Sequence, residues 1–141
     1  MVGRVVTTTL IQQKSGSDCV LAAIAMAAGK EKWEDLWTQA DLDQVIKDRG
    51  VGDIDPWMQR AGFQRGVHYH ETYSNYEPVA KKFLWKRKAL LSIDSLNIAG
   101  GMHMVYWDGD RIFDPHDSHD SYLFHRIITG VSLYKAFLLN L

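Results

Sequence analysis

The sequence predicts one α+β domain, with helices in its first half and a largely antiparallel sheet in its second half. Up to about residue 62, apolar residues recur at helical spacing or fill segments that lie between capping residues and glycines. From residue 89 onward the apolar runs are short and are separated by turn residues. With 141 residues, and without a repeat or a Pro/Gly/Ser-rich linker, the chain predicts a single domain over residues 1–141.

The first predicted helix is apolar on every side. Ser17 or Asp18 can cap it, it extends through Ala28, and Gly29 suits a left-handed stop. Because none of its sides is polar, we expect the helix to be buried on most sides, packed on the sheet.

Three further helices are predicted after it. An amphipathic pattern runs from Trp33 to Lys47 and ends at Arg49-Gly50. A third helix starts at Asp53 or Asp55, with a proline at its first position, and ends at Gly62. A β-like segment, 63–73, follows, and then a fourth helix that begins at Ser74 or Asn75 and reaches Lys86.

The strands follow in the second half. Residues 89–93 form one apolar run and residues 103–107 another. The turn sequence Asp108-Gly-Asp predicts that the second run pairs with residues 111–114 as a hairpin. A closing strand over 131–139 completes the predicted sheet.

Composition narrows the classes of partner. The net charge of −1 gives no overall field for nucleic acid or anionic lipid. The basic cluster in segment 81–88 is interrupted by Phe, Leu and Trp, which indicates the exposed face of an amphipathic helix. No run has the length of a membrane span.

A single cysteine cannot form an intramolecular disulfide, so we expect a reducing compartment, the cytoplasm. The expected partner is a protein or peptide substrate.

Cys19 is the candidate nucleophile because of its position in the chain. It falls in the first turn of the apolar helix, where unpaired N–H groups and the helix dipole stabilise a thiolate. Attack on a carbonyl creates an oxyanion, which needs two hydrogen-bond donors. The backbone N–H of Cys19 can be one. The side-chain amide of Gln13, six residues upstream and preceded by Gln12, is the candidate for the other.

His103 is the candidate base. It begins an apolar strand directly after two glycines, and the predicted hairpin brings it beside Asp114, which can hold the imidazole in one orientation. Taken alone, His103 is more simply interpreted as a core histidine, and Asp114 as a turn aspartate. Two other histidines, His68 and His70, alternate in a polar segment typical of a surface strand, and His125 has no evident partner.

A metal site is the weaker interpretation of the segment 114–120. His116, Asp117, His119 and Asp120 are possible ligands, but no second distant pair of ligands and no HExxH helix accompany them. Asp, His and Ser after a proline are also typical of a polar loop. No phosphate-binding glycine loop is present, and we expect neither a metal nor another cofactor.

The order of these motifs resembles that of the papain-like bacteriocin-processing peptidases, also called double-glycine peptidases. Their pattern is a glutamine, five residues, and then a cysteine that opens an alanine-rich helix, as in residues 13–26 here. The segment 103–107, the Ile-Phe-Asp-Pro at 112–115 and the segment 129–133 resemble the histidine strand, the Asp-Pro and the closing strand of that family. The resemblance spans most of the chain.

That resemblance implies a papain-like fold in which Gln13 contributes to the oxyanion hole, Cys19 is the nucleophile, His103 the base and Asp114 its orienting residue. The chain departs from the family at Val20, where glycine is usual. Membrane spans and an ATPase accompany this domain in transporters and do not occur in the printed sequence, so cleavage of a double-glycine leader is not carried over.

Three functions therefore stay open at this point. The first is a cysteine peptidase that hydrolyses a peptide bond through a thioester. The second is a deamidase, an isopeptidase or a transglutaminase-like acyltransferase that uses the same three residues, since the spacing between His103 and Asp114 fits such domains almost as well. The third is a non-catalytic protein-binding module on the same fold.

Overall fold

The computed structural model describes residues 8–64, 67–69, 88–94, 102–108, 112–116 and 128–133. These residues form three α-helices, one 3-10 helix and a five-stranded antiparallel sheet, which confirms the predicted α+β class. Within these ranges, none of the helices has the length and apolarity needed to cross a membrane.

The first helix, α1 (Cys19–Ala27), is the centre of the core. All its residues from Leu21 onward are buried, as the absence of a polar side predicts. The helix ends at the predicted glycine, because Gly29 has a φ of +75°, a value that few other residues adopt readily. Asp18 is the N-cap by position, but its side chain makes no capping hydrogen bond to the helix.

The predicted second helix is in fact two helices. A 3-10 helix covers Trp33–Asp35, and α2 covers Gln39–Asp48. The break comes at Thr38, whose hydroxyl accepts a hydrogen bond from the Asp41 N–H while the Asp41 carboxylate accepts one from the Thr38 N–H. This reciprocal cap starts a new helix inside the apolar stripe that the sequence presents as continuous. The predicted end at Arg49-Gly50 is confirmed, since both residues have positive φ.

The third helix, α3 (Asp55–Arg60), agrees with the prediction. Pro56 lies in its first turn, where the missing N–H of proline costs no helical hydrogen bond. After the helix, Gly62 takes up a φ of +95°, so the chain turns at the predicted glycine.

The sheet contains the predicted strand segments. Its strands are β1 (Val67–Tyr69), β2 (Ala89–Asp94), β3 (Met102–Trp107), β4 (Ile112–Phe113) and β5 (Ile128–Leu133). Their order across the sheet is β1-β5-β2-β3-β4, and every neighbouring pair is antiparallel. Strand β5 starts three residues earlier than predicted.

The sheet and α1 form one core. Helix α1 packs on β3 and also contacts β2. Leu90 of β2 and Met104 and Tyr106 of β3 belong to the same cluster of buried side chains as α1. The predicted arrangement, with the cysteine helix on the antiparallel sheet, is therefore present.

Several predictions lie outside the described residues. These are the fourth helix from Ser74 or Asn75 to Lys86, the turn residues Gly109 and Asp110, and the end of the closing strand over 134–139.

Candidate active site

The hairpin of β3 and β4 places His103 beside Asp114. Tyr106 pairs with Phe113 and Trp107 with Ile112. The start of β3 and the end of β4 therefore lie at the same end of this pair of strands. The Nε2 atom of His103 lies 2.7 Å from Oδ1 of Asp114. The Asp114 side chain is only 2% exposed and that of His103 14% exposed, so little water competes with this contact.

A turn after β4 fixes the orientation of the Asp114 carboxylate. The backbone N–H of His116 donates a hydrogen bond of 2.8 Å to the same Oδ1 that faces His103. The ring of His116 also meets the ring of His103 edge-on, with 6.3 Å between the centroids. Asp114 is therefore held by the backbone while it holds the imidazole.

Cys19 lies beside the same imidazole. Its side chain is near enough to the His103 ring to raise the pKa of that ring. Because Nε2 faces Asp114, Nδ1 is the ring nitrogen left for the sulfur. The packing of α1 on β3 explains this meeting, since it brings the first residue of the helix to the start of the strand. The structure therefore brings together three of the four residues selected from the sequence.

These contacts change the protonation of His103. Burial of the ring lowers the pKa of His103, whereas hydrogen bonds to Asp114 and Cys19, and the charges of these two groups, raise it; the net result is a pKa of about 9. An imidazole of this kind is protonated at neutral pH. A positively charged ring therefore lies beside the sulfur at neutral pH.

Gln13 lies in the loop before α1 and is held at two points. Its backbone N–H donates to the carbonyl oxygen of Pro115 at 2.9 Å, which ties it to the turn that carries Asp114. Its side-chain Nε2 donates to the carbonyl oxygen of Ser15 at 2.7 Å. An amide nitrogen carries two hydrogens, so one remains for a ligand.

The backbone N–H of Cys19 is a second donor at this end of α1. The first N–H groups of an α-helix have no acceptor within the helix, and Cys19 is the first residue of α1. Val20 is half-buried and packs against the core, so the side chain at this position, where double-glycine peptidases usually have glycine, is partly used for packing. Gln12 is exposed.

Asp18 does not have the role of helix cap that the sequence predicts for it. Its carboxylate is fully buried and turns away from the helix, toward the loop. It accepts hydrogen bonds from the N–H groups of Lys14 and Ser15 and from the Ser15 hydroxyl. An aspartate before a helix predicts a cap, and only the course of the loop distinguishes the two roles.

The described part of the chain adds no metal-binding group to this site. No group of three or more His, Cys, Asp or Glu side chains in the described part of the chain is arranged to hold a metal. Asp117, His119 and Asp120 lie outside the described residues, as do His70 and His125. Of His68, only the backbone is described, as part of β1.

Comparison of the chain with protein-family models, with curated proteins and with solved structures gave no match. The site is therefore interpreted from its own geometry.

Proposed function

We propose that this chain is a papain-like cysteine peptidase, in which Cys19 is the nucleophile, His103 the acid and base, and Asp114 the residue that orients His103. The observation that carries the proposal is the contact of His103 with the buried Asp114 carboxylate, together with the Cys19 side chain beside the same ring. A sulfur at a helix start, an imidazole and a carboxylate in this order are what nucleophilic acyl transfer requires.

The first half of the reaction forms a thioester. The Cys19 thiolate attacks the carbonyl carbon of a peptide bond, so that an S–C bond forms and the carbonyl oxygen becomes negative. The Cys19 N–H and the free N–H of the Gln13 amide can donate hydrogen bonds to this oxygen. When the tetrahedral intermediate collapses, the C–N bond breaks and the His103 imidazolium gives its proton to the leaving amine.

The second half regenerates the enzyme. His103, now neutral, removes a proton from a water molecule, which attacks the thioester carbon. A second oxyanion forms at the same donors, the S–C bond breaks, and the carboxylic acid product leaves. Asp114 stabilises the imidazolium in both halves because it accepts a hydrogen bond from Nε2.

The first test measures the reactivity of Cys19 without a known substrate. Iodoacetamide should alkylate wild-type Cys19 at pH 7 faster than it alkylates a free thiol, because the thiolate is the reactive form. Alkylation should slow in His103→Ala, which keeps the sulfur and removes its partner. A rate equal to that of a free thiol, with a midpoint near pH 8.5, would contradict the proposal.

The second test identifies the reaction. A mixture of peptides from a cell lysate is incubated with the wild type and with Cys19→Ala, and the products are compared by mass spectrometry. We expect new peptide ends that only the wild type produces. A mass gain of about 1 Da without cleavage would indicate a deamidase instead, because both reactions share the thioester. Equal products from the two proteins would leave a non-catalytic module as the better interpretation.

A further inference from the structure

The fully buried carboxylate of Asp18 has no part in the reaction described above, although it lies next to the nucleophile. It caps nothing in α1. A buried carboxylate needs hydrogen-bond donors, and those of Asp18 come from the loop that leads to Cys19. Its Oδ1 atom accepts from the Ser15 N–H at 2.6 Å and from the Ser15 hydroxyl at 2.8 Å, and its Oδ2 atom accepts from the Lys14 N–H at 2.9 Å.

Ser15 connects this carboxylate to Gln13. Asp18 holds Ser15 through both its backbone N–H and its hydroxyl. The carbonyl oxygen of the same Ser15 accepts the hydrogen bond from Nε2 of Gln13 at 2.7 Å. Three residues thus form one chain of short hydrogen bonds, which ends at the amide proposed as an oxyanion donor.

The Gln13 amide depends on this chain for its orientation. Its Oε1 atom is buried and has no hydrogen-bond partner among the described residues. The contact that distinguishes the nitrogen from the oxygen is therefore the Ser15 carbonyl, because an amide rotated by half a turn would place oxygen against oxygen. The bond from the Gln13 backbone to Pro115 fixes the main chain but leaves the side chain free to turn.

We propose that Asp18 is a positioning residue for the oxyanion hole, because it fixes Ser15 and Ser15 in turn directs the Gln13 amide toward the reacting carbonyl. This inference rests on the proposed function, since it assigns Asp18 to the same acyl-transfer site. Asp18 touches neither the substrate nor the imidazole in this assignment. Its effect is confined to the reactions in which a carbonyl oxygen becomes negative.

Two reagents separate this role from the formation of the nucleophile. p-Nitrophenyl acetate acetylates Cys19: the S–C bond forms, the ester C–O bond breaks, and p-nitrophenolate leaves. That reaction passes through an oxyanion and needs the hole. Iodoacetamide alkylates the same sulfur at a saturated carbon, with loss of iodide, and forms no oxyanion. The ratio of the acetylation rate to the alkylation rate therefore reports on the oxyanion hole alone.

The experiment is a double-mutant cycle of this ratio, in the whole chain, for Gln13→Ala, Asp18→Ala and the double variant. Gln13→Ala should lower the ratio by about 100-fold, since it removes one oxyanion donor. Asp18→Ala should lower it by about 10- to 100-fold. In the double variant the loss should equal that of Gln13→Ala, because Asp18 acts only through Gln13.

Two milder variants keep the test valid if Asp18→Ala does not fold. Asp18→Asn keeps one oxygen acceptor and loses the other, and Ser15→Ala removes only the hydroxyl contact. Each should lower the ratio, by less than Asp18→Ala does. Asp41→Ala is the matched control, because Asp41 is also a buried aspartate at the start of a helix, where its carboxylate accepts hydrogen bonds from Thr38. It should destabilise the fold and leave the ratio of the folded protein unchanged.

The outcomes distinguish the two proposals. If Asp18→Ala lowers acetylation and alkylation equally, or leaves the ratio unchanged, or lowers it further in the Gln13→Ala background, the inference is wrong and the peptidase proposal stands. If wild-type Cys19 reacts with both reagents no faster than a free thiol, the proposed function fails and the inference fails with it.

Discussion

At the scale of single residues, His103 has two partners, Asp114 and Cys19. Nε2 faces the buried Asp114 carboxylate, which leaves Nδ1 for the sulfur of Cys19. A ring held in this way cannot turn over without losing its contact with the carboxylate. The contact with Asp114 therefore fixes the orientation of the ring.

The first prediction concerns the titration of this ring. Followed by NMR, His103 should change protonation with a midpoint at about 9 rather than near 6.5. Turnover should decline as the pH rises through about 9, because the leaving amine then lacks a proton donor. In Asp114→Asn the midpoint should fall, since the negative partner is lost.

His116→Ala is the control for that titration. Its backbone N–H still donates to Asp114, and the ring that meets His103 edge-on is removed. The midpoint of His103 should stay above 6.5 in this variant. A midpoint near 6.5 in the wild type would show that the carboxylate and the sulfur do not act on the ring.

The sequence could identify these residues only through their positions along the chain. Cys19 opens an apolar helix, and the hairpin spacing relates His103 to Asp114. The contacts of Asp18 could not be predicted, because an aspartate directly before a helix can either cap that helix or accept hydrogen bonds from the loop that precedes it. Its carboxylate binds the loop behind it because the N–H groups of Lys14 and Ser15 both turn inward there.

At the scale of elements, one arginine joins α2 and α3. Both terminal nitrogens of Arg60, in α3, donate to the carboxylate of Asp41, at 2.9 and 3.0 Å. The guanidinium also lies over the rings of Trp37 and Trp57, 5.3 and 5.1 Å from their centroids. Because Asp41 also caps α2, its carboxylate serves the start of one helix and the packing of another.

The second prediction concerns the dependence of stability on this carboxylate. Burial raises the pKa of Asp41, but hydrogen bonds from Arg60 and Thr38 outweigh this effect and hold the pKa below its ordinary value of 3.8. A pKa lowered by folding stabilises the protein above the pKa of the unfolded state, and that contribution is lost as the pH falls through the folded pKa. Asp41→Asn should therefore lower the free energy of unfolding by about 1 kcal/mol at pH 7.

The difference between Asp41→Asn and the wild type should shrink as the pH falls below 3.8 and the wild-type carboxylate becomes protonated. Urea unfolding at pH 7 and at a series of pH values below 3.8 measures this change. Asp43→Asn is the matched control, because Asp43 lies on the same helix and makes only an exposed contact, with Gln39. It should change stability by less than about 0.5 kcal/mol. Equal losses for both variants at pH 7 would contradict the assigned role of Asp41.

The ends of the elements were more predictable than the break inside one of them. Gly29, the pair Arg49-Gly50 and Gly62 mark real turns, because glycine and a few other residues adopt positive φ. The break at Thr38 was missed, since the apolar stripe from Trp33 onward continues across it. Local capping by Thr38 and Asp41 outweighs that periodicity.

At the scale of the whole molecule, burial of α1 organises the fold. Seven consecutive residues of this nine-residue helix are buried, against the sheet on one side and the 3-10 helix on another. The Nε1 atom of Trp37, which lies between the 3-10 helix and α2, donates to the carbonyl oxygen of Leu21 at 2.8 Å. This hydrogen bond joins α1 to the segment that links the next two helices. The position of Cys19 therefore depends on the packing of the entire core.

The third prediction measures that dependence. Ile24→Ala, at a fully buried position of α1, should lower the free energy of unfolding by about 2–5 kcal/mol, because it leaves a cavity in the core. Ile46→Ala is the matched control, since Ile46 is 47% exposed, and it should cost less than about 1 kcal/mol. Urea unfolding gives both values, and a smaller loss for Ile24→Ala than for Ile46→Ala would contradict the burial of α1.

The class of the fold followed from the order of the patterns, since apolar helical segments precede short strands. The order of the strands in the sheet could not be predicted in this way. β5 pairs with β1 on one side and with β2 on the other, and these pairings depend on contacts between distant parts of the chain. No local pattern specifies such contacts, whereas the hairpin of β3 and β4 follows from a turn sequence.

The distance along the chain between Cys19 and its two proposed partners, His103 and Asp114, has a consequence for biosynthesis. The ribosome releases the cysteine early, and the strands that carry His103 and Asp114 emerge much later. Until then the sulfur has no imidazole beside it and behaves as an ordinary thiol. Under the proposed function, the sulfur gains its reactivity only after the segment that carries Asp114 has been translated.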